Sequence, residues 1–167
     1  MFYYCLMALI PALDLALKSG IEAAPDESYP REVRGTGGKV QFRKLHNPGF
    51  PMGALKEKPE LVRCLPLAVT SALLLKLSSM LPWRGKKLQK LGLSLCVGGS
   101  ASNLFDRFFR RYVVDYLFVD VKPLNRFVFN LGDVSIASGA MLSAVGAFLP
   151  GKKAAGARIK GAAAGEK

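Results

Sequence analysis

Four aspartates stand out in this chain: Asp14 and Asp133 inside long apolar stretches, Asp106 directly after one, and Asp115 in the loop that follows. Two are preceded by an asparagine three positions earlier, Asn103 before Asp106 and Asn130 before Asp133. An ionisable side chain inside a bilayer costs about 3 kcal/mol or more, so one inside a span reads first as functional, whereas Asp115 taken alone reads as a solvated loop acid. Carboxyl groups offer acid–base chemistry. An ionised one takes a proton from water, and a neutral one holds a carbonyl oxygen and returns a proton. Two of them close together in a low dielectric cannot both ionise easily, so they share one proton and titrate as a unit. Other chemistries are poorly supplied. His46 is the single histidine, which excludes a histidine-rich metal site and argues against a Ser–His–Asp triad. Cys5, Cys64 and Cys96 have no CxxC spacing and read as small apolar packing residues. No metal and no other cofactor is expected.

The elements that must position these acids follow from the apolar pattern. Half of the residues are hydrophobic, and they come in blocks rather than at amphipathic spacing. A membrane span needs about 20 mainly apolar residues. The expected fold is mainly α and integral to the membrane: a bundle of four transmembrane helices near residues 2–17, 64–82, 88–105 and 127–149. Lys90, near one end of the third block, is expected to snorkel outward. The first block lacks a basic leading region and carries Asp14, so it reads as a retained helix rather than a cleaved leader. Residues 1–150 form one membrane-embedded domain in this reading. Residues 19–45 form an extracytoplasmic insertion with turns at Pro25, Pro30 and the glycines of 35–38. The run VVDYLFVDV favours a strand holding Asp115, giving a small β-containing region outside the bilayer. Residues 151–167 read as a disordered basic tail.

The net charge is +12. Nucleic-acid binding is the bland explanation, but the basic residues flank apolar blocks, where anionic lipid accounts for them better. Arg84, Lys86, Lys87 and Lys90 cluster in one connection with no acid, and the tail is almost purely basic. Four spans place both on one side, taken as the cytoplasm, with both termini. Asp14, Asn103, Asp106, Asp115, Asn130 and Asp133 then converge on the opposite face.

Residues 98–136 narrow the reading. Gly98-Gly99 runs into Asn103-Leu-Phe-Asp106-Arg107, then Val113-Val114-Asp115, then Phe129-Asn130-Leu-Gly-Asp133. In order and spacing this resembles the lipoprotein signal peptidase (signal peptidase II) family, with its N-x-x-D-R, V-V-D and F-N-x-x-D motifs. Asp14 and Lys18 look like the family's D-x-x-x-K, and Asn47-Pro-Gly49-Phe50 looks like its Asn-Gly-Phe segment. Ser102 stands where the family usually has Gly, Gly132 where it usually has Ala, and Arg111 near where a Gly usually precedes V-V-D. The resemblance implies a membrane aspartic endopeptidase with Asp115 and Asp133 as the catalytic pair. The implied substrates are diacylglyceryl-modified lipoprotein precursors, met at the lipid boundary of a bacterial-type cell membrane on its extracytoplasmic side.

Asp14, Asn47, Asn103, Arg107 and Asn130 are then the expected substrate-binding or supporting residues. Lys18 and Asp106 are structural or unassigned. Asp106 is expected to pair with Arg107 or Arg110, and Asn103 either serves the site or bonds between helices. Gly98-Gly99 reads as a close helix contact. Phe105, Phe108, Phe109, Tyr112 and Tyr116 read as an interfacial belt. Two other functions stay open: a catalytically inactive relative that binds lipoproteins, and an ion- or proton-translocating protein. The sequence leaves the oligomeric state undetermined.

Overall fold

The computed structural model describes residues 1–50 and 54–149, so the tail expected to be disordered lies outside the described residues. In chain order the elements are α1 (Phe2–Ala23), β1 (Arg31–Glu32), β2 (Val40–Asn47), α2 (Pro59–Met80), α3 (Lys87–Phe105), β3 (Val113–Val119), β4 (Val128–Phe129) and α4 (Leu131–Phe148). A π turn at Asp106–Arg110 continues α3.

Among the described residues three helices, α1, α2 and α4, are long and apolar enough to cross a membrane by length and composition. Their outer faces remain apolar: Leu9, Leu13 and Leu17 on α1, Leu65, Val69 and Leu75 on α2, and Val134, Met141 and Val145 on α4 are exposed. Surfaces of that kind mark contact with lipid or a partner. α3 differs because it is the central helix, packed against the other three. Its buried positions include Lys90, Ser94, Ser102 and Asn103. A helix walled by protein has no need of an apolar exterior, which explains its lower hydropathy. Lys90 does not snorkel outward: it is buried, and its ammonium donates to the Trp83 carbonyl in the α2–α3 connection. The nearby carbonyl offers it a partner inside the protein.

Glycines set the closest helix contact. Gly92 and Gly99 of α3 face Gly139 and Gly132 of α4, backbone against backbone. A methyl group at Gly139 would lie 2.6 Å from the Gly92 carbonyl oxygen, and one at Gly132 would lie 2.8 Å from that of Gly99. Small residues permit such an approach, and van der Waals packing then replaces the hydrophobic drive that lipid lacks. Gly98 turns the other way, toward Ile10 of α1.

The four strands form one antiparallel sheet in the order β1-β2-β3-β4. β2 and β3 pair from Val40↔Val119 to Asn47↔Val113, with a bulge between Phe42 and Leu45. Val114 and Tyr116 of β3 pack on Ile21 near the end of α1. The sheet therefore caps the end of the bundle where α1 and α3 finish and α4 begins.

Three helix limits differ from the apolar blocks. α2 begins at Pro59 rather than at residue 64, because a proline in the first turn has no N–H to leave unpaired. α1 runs to Ala23 rather than stopping at residue 17, because Lys18 is neutralised inside the bundle and does not mark a water boundary. α4 begins at Leu131 rather than at residue 127, because Val128 and Phe129 pair with Phe118 and Leu117 of β3.

Candidate active site

Asp115 lies opposite Leu45 across the β2–β3 ladder, and Asn47, opposite Val113, sits diagonally from it on the same face. Asn47 Nδ2 donates to Asp115 Oδ2 at 3.1 Å. Asn130 Nδ2 donates to Asp115 Oδ1 at 2.8 Å. Asp115 is only 4% exposed. Burial above all, and next the negative charge of Asp133, push its carboxyl up to about 7. The Asn47 and Asn130 donors, and the Lys18 charge, oppose that rise without cancelling it.

Asp133 is the third residue of α4, and Asn130 is its N-cap. Asn130 Oδ1 accepts from the Asp133 backbone N–H at 2.8 Å, and the Asn130 N–H donates to Asp133 Oδ2 at 3.3 Å. This is a capping box, so the spacing of three has a local structural cause as well as a place in the site. Asn103 Nδ2, from α3, donates to Asp133 Oδ1 at 2.9 Å. Asn130 thus touches both carboxyl groups, and a strand and a helix start are joined through one amide.

A second, sealed cluster lies beneath. Asp14, Lys18 and Asp106 are each 0% exposed. Lys18 Nζ meets Asp14 Oδ2 at 2.8 Å, Asp106 Oδ2 at 3.0 Å and Asn103 Oδ1 at 2.7 Å. Asp14 also accepts from Ser102 Oγ at 2.5 Å, Tyr116 Oη at 2.9 Å and the Leu131 N–H at 3.0 Å. Asp106 pairs with Arg110 at 2.6 Å and accepts from the Val114 N–H at 3.1 Å. Buried charges persist only when paired and fully hydrogen-bonded, and these are. Of the two roles expected of Asp14, a direct substrate contact is blocked by its burial and full occupancy. It ties α1 to α3, β3 and α4 instead.

Arg107 points elsewhere. Its guanidinium lies near the carbonyls of Gly49, at 3.5 Å, and Asn103, at 3.4 Å, and 5.6 Å from the Phe50 ring centre. Its Nε is buried with no hydrogen-bond partner among the described residues. The negative charges of Asp133, Asp115 and Asp106 all act on this guanidinium.

Sequence reasoning missed Tyr116 and the part played by Ser102. Tyr116, expected in an interfacial belt, is 2% exposed and donates to Asp14. Alternation along β3 was the available signal, since neighbours on a strand face opposite ways. The three sequence departures also find local explanations. Ser102 seals Asp14, and a methyl group at Gly132 would meet both the Gly99 carbonyl oxygen at 2.8 Å and Ser102 Oγ at 2.9 Å, so a glycine is required there. Arg111 caps the π turn at φ 73°, a left-handed conformation that glycine adopts without cost.

Fold and site together define a class: a helical membrane protein with two amide-linked carboxyl groups under a small sheet at one end of its bundle. The model of the signal peptidase (SPase) II family matches residues 6–149, and the chain belongs to that family. Among similar proteins, the lipoprotein signal peptidase of Moorella thermoacetica is 32% identical over 84% of this chain and 88% of its own length. That of Syntrophomonas wolfei is 31% identical over 87% of this chain and 91% of its own. That of Clostridium tetani is 32% identical over 60% of this chain, a region spanning 64% of the relative. Two solved structures described as bacterial membrane enzymes share the fold. Their TM-scores are 0.72 and 0.71 at 19% identity, covering 86% and 88% of this chain and 85% and 92% of theirs.

Proposed function

We propose that this chain is a membrane aspartic endopeptidase that removes the signal peptide from diacylglyceryl-modified lipoprotein precursors, with Asp115 and Asp133 as its catalytic pair. The observation that carries the reading is the single Asn130 side chain bonded both to the Asp115 carboxyl and to the start of the helix bearing Asp133. One carboxylate takes a proton from water, which attacks the peptide carbonyl carbon. The neutral partner holds the carbonyl oxygen as it gains charge, and a proton then passes to the leaving amine. Arg107 supplies a second donor for a substrate carbonyl. Asn47, Asn103 and Asn130 hold the pair in place. In the bilayer α3 serves as the fourth span, shielded by the other three, and the sheet lies on the extracytoplasmic side with both termini in the cytoplasm. A lipid anchor on the substrate fits a site at the bilayer boundary flanked by exposed apolar helix faces.

The test is reconstitution of the purified protein in lipid with a diacylglyceryl-modified precursor, beside Asp115→Asn and Asp133→Asn. Cleavage by the parent and none by either variant is expected. Cleavage that survives in a variant would rule out the pair, and a parent that binds without cutting would mark an inactive relative.

A further inference from the structure

Three asparagines donate to the two carboxyl groups, and an amide can do so only if it faces the right way. Two are fixed by the backbone. Asn130 Oδ1 accepts from the Asp133 N–H, and Asn47 Oδ1 accepts from the Gly49 N–H at 3.1 Å. An N–H cannot accept, so the NH2 ends of both amides must face Asp115. Asn103 has no such backbone lock. Its Oδ1 is held by Lys18 Nζ at 2.7 Å, and an ammonium likewise donates only. Without it, the Asn103 amide could turn and present an oxygen to Asp133.

We infer that Lys18 is a positioning residue for the reaction, fixing the Asn103 amide so that its NH2 group donates to Asp133. The inference rests on the peptidase reading and deepens it. Lys18 touches no reacting atom. It is sealed from solvent between Asp14 of α1 and Asp106 beyond α3, and it reaches the reactive pair only through Asn103. The charged groups around Asp133 are Asp115 of β3, Arg107 of the π turn, and Lys18 and Asp14 of α1. None of the others bonds the side-chain oxygen of Asn103, and Arg107 reaches its backbone carbonyl instead.

Lys18→Met alone would take the paired cation from buried Asp14 and leave Asp106 only Arg110, so Lys18→Met/Asp106→Asn, which keeps the net charge, is the variant to use, with Asn103→Leu and the triple variant. Each is reconstituted in lipid, its fold is checked by thermal unfolding, and cleavage of a diacylglyceryl-modified precursor is followed against pH. Losing a hydrogen bond to a charged group should move the acid limb of the rate profile up by about one pH unit. Asn103→Leu and Lys18→Met/Asp106→Asn should show the same shift, with KM little changed, and the triple variant should add less than about a twofold further loss. An acid limb left in place by Asn103→Leu, or full additivity in the triple variant, overturns the inference. If Lys18→Met/Asp106→Asn does not fold, Lys18→Gln/Asp106→Asn decides, because glutamine keeps a donor for Asn103. A parental acid limb there beside a shifted one in Asn103→Leu supports the lock. A shift in the glutamine variant, or its failure to fold, overturns it, since the retained donor should suffice. A parent that cuts nothing sinks the peptidase reading, whereas a parent that cuts while these variants behave independently sinks only the role of Lys18.

Discussion

Asn47→Leu offers a direct reading of how the proton is held. The substitution keeps the volume but removes the Nδ2 donor that lies 3.1 Å from Asp115 Oδ2. A hydrogen bond to an ionised group is worth about 1.5 kcal/mol at the weaker end, which suits this length. That donor favours the charged carboxylate, so its loss makes the proton harder to remove, by about tenfold. Asp115 sits at about 7 in the parent, and the apparent value belongs to the pair. The alkaline limb of kcat/KM, where the shared proton leaves, should therefore move from about pH 7 to about pH 8. At pH 8 the parent should keep roughly a tenth of its plateau rate and the variant roughly half of its own lower plateau. The assay is cleavage of a diacylglyceryl-modified precursor in lipid, across pH, with the plateau normalised for each variant. An alkaline limb that stays put or moves down would show that Asp115 does not hold the departing proton.

Other outcomes follow from the same geometry. Because burial raises Asp115, its contribution to stability is full below about pH 4 and is lost as pH rises through about 7; thermal unfolding in detergent should show destabilisation over that range, up to about 4 kcal/mol, which Asp115→Asn abolishes. Gly139→Ala drives a methyl group into the Gly92 carbonyl and the Cys96 N–H, and should cost about 3 kcal/mol in the same measurement. Arg111→Gly relieves a left-handed residue and should stabilise by about 1 kcal/mol with no change in the pH–rate profile.

Much of the candidate site's local geometry was legible because its motifs are local. Asn130 and Asp133 are joined by a capping box that any helix start of this sequence would form. Asp14 and Lys18 are one helical turn apart and meet as that spacing requires. Three apolar blocks announced helices able to span a membrane, since lipid-facing surface must be written in apolar residues. Their limits were less legible. Lys18 and Phe127 look like boundaries only until a buried partner for the first and a strand partner for the second are known.

The sequence by itself determined which groups are acids and amides, which segments are helical, and that the acids gather at one end of the bundle. The tertiary structure alone decided which carboxyl each asparagine serves, that Asp14 is sealed among paired charges while Asp115 is held by two amides, and that Tyr116 turns inward. The reason is physical. Period and spacing fix the direction of a side chain relative to its own element, whereas the partner it meets depends on how α1, α3, β3 and α4 pack. That packing is set by glycine contacts and buried ion pairs between residues far apart in the chain.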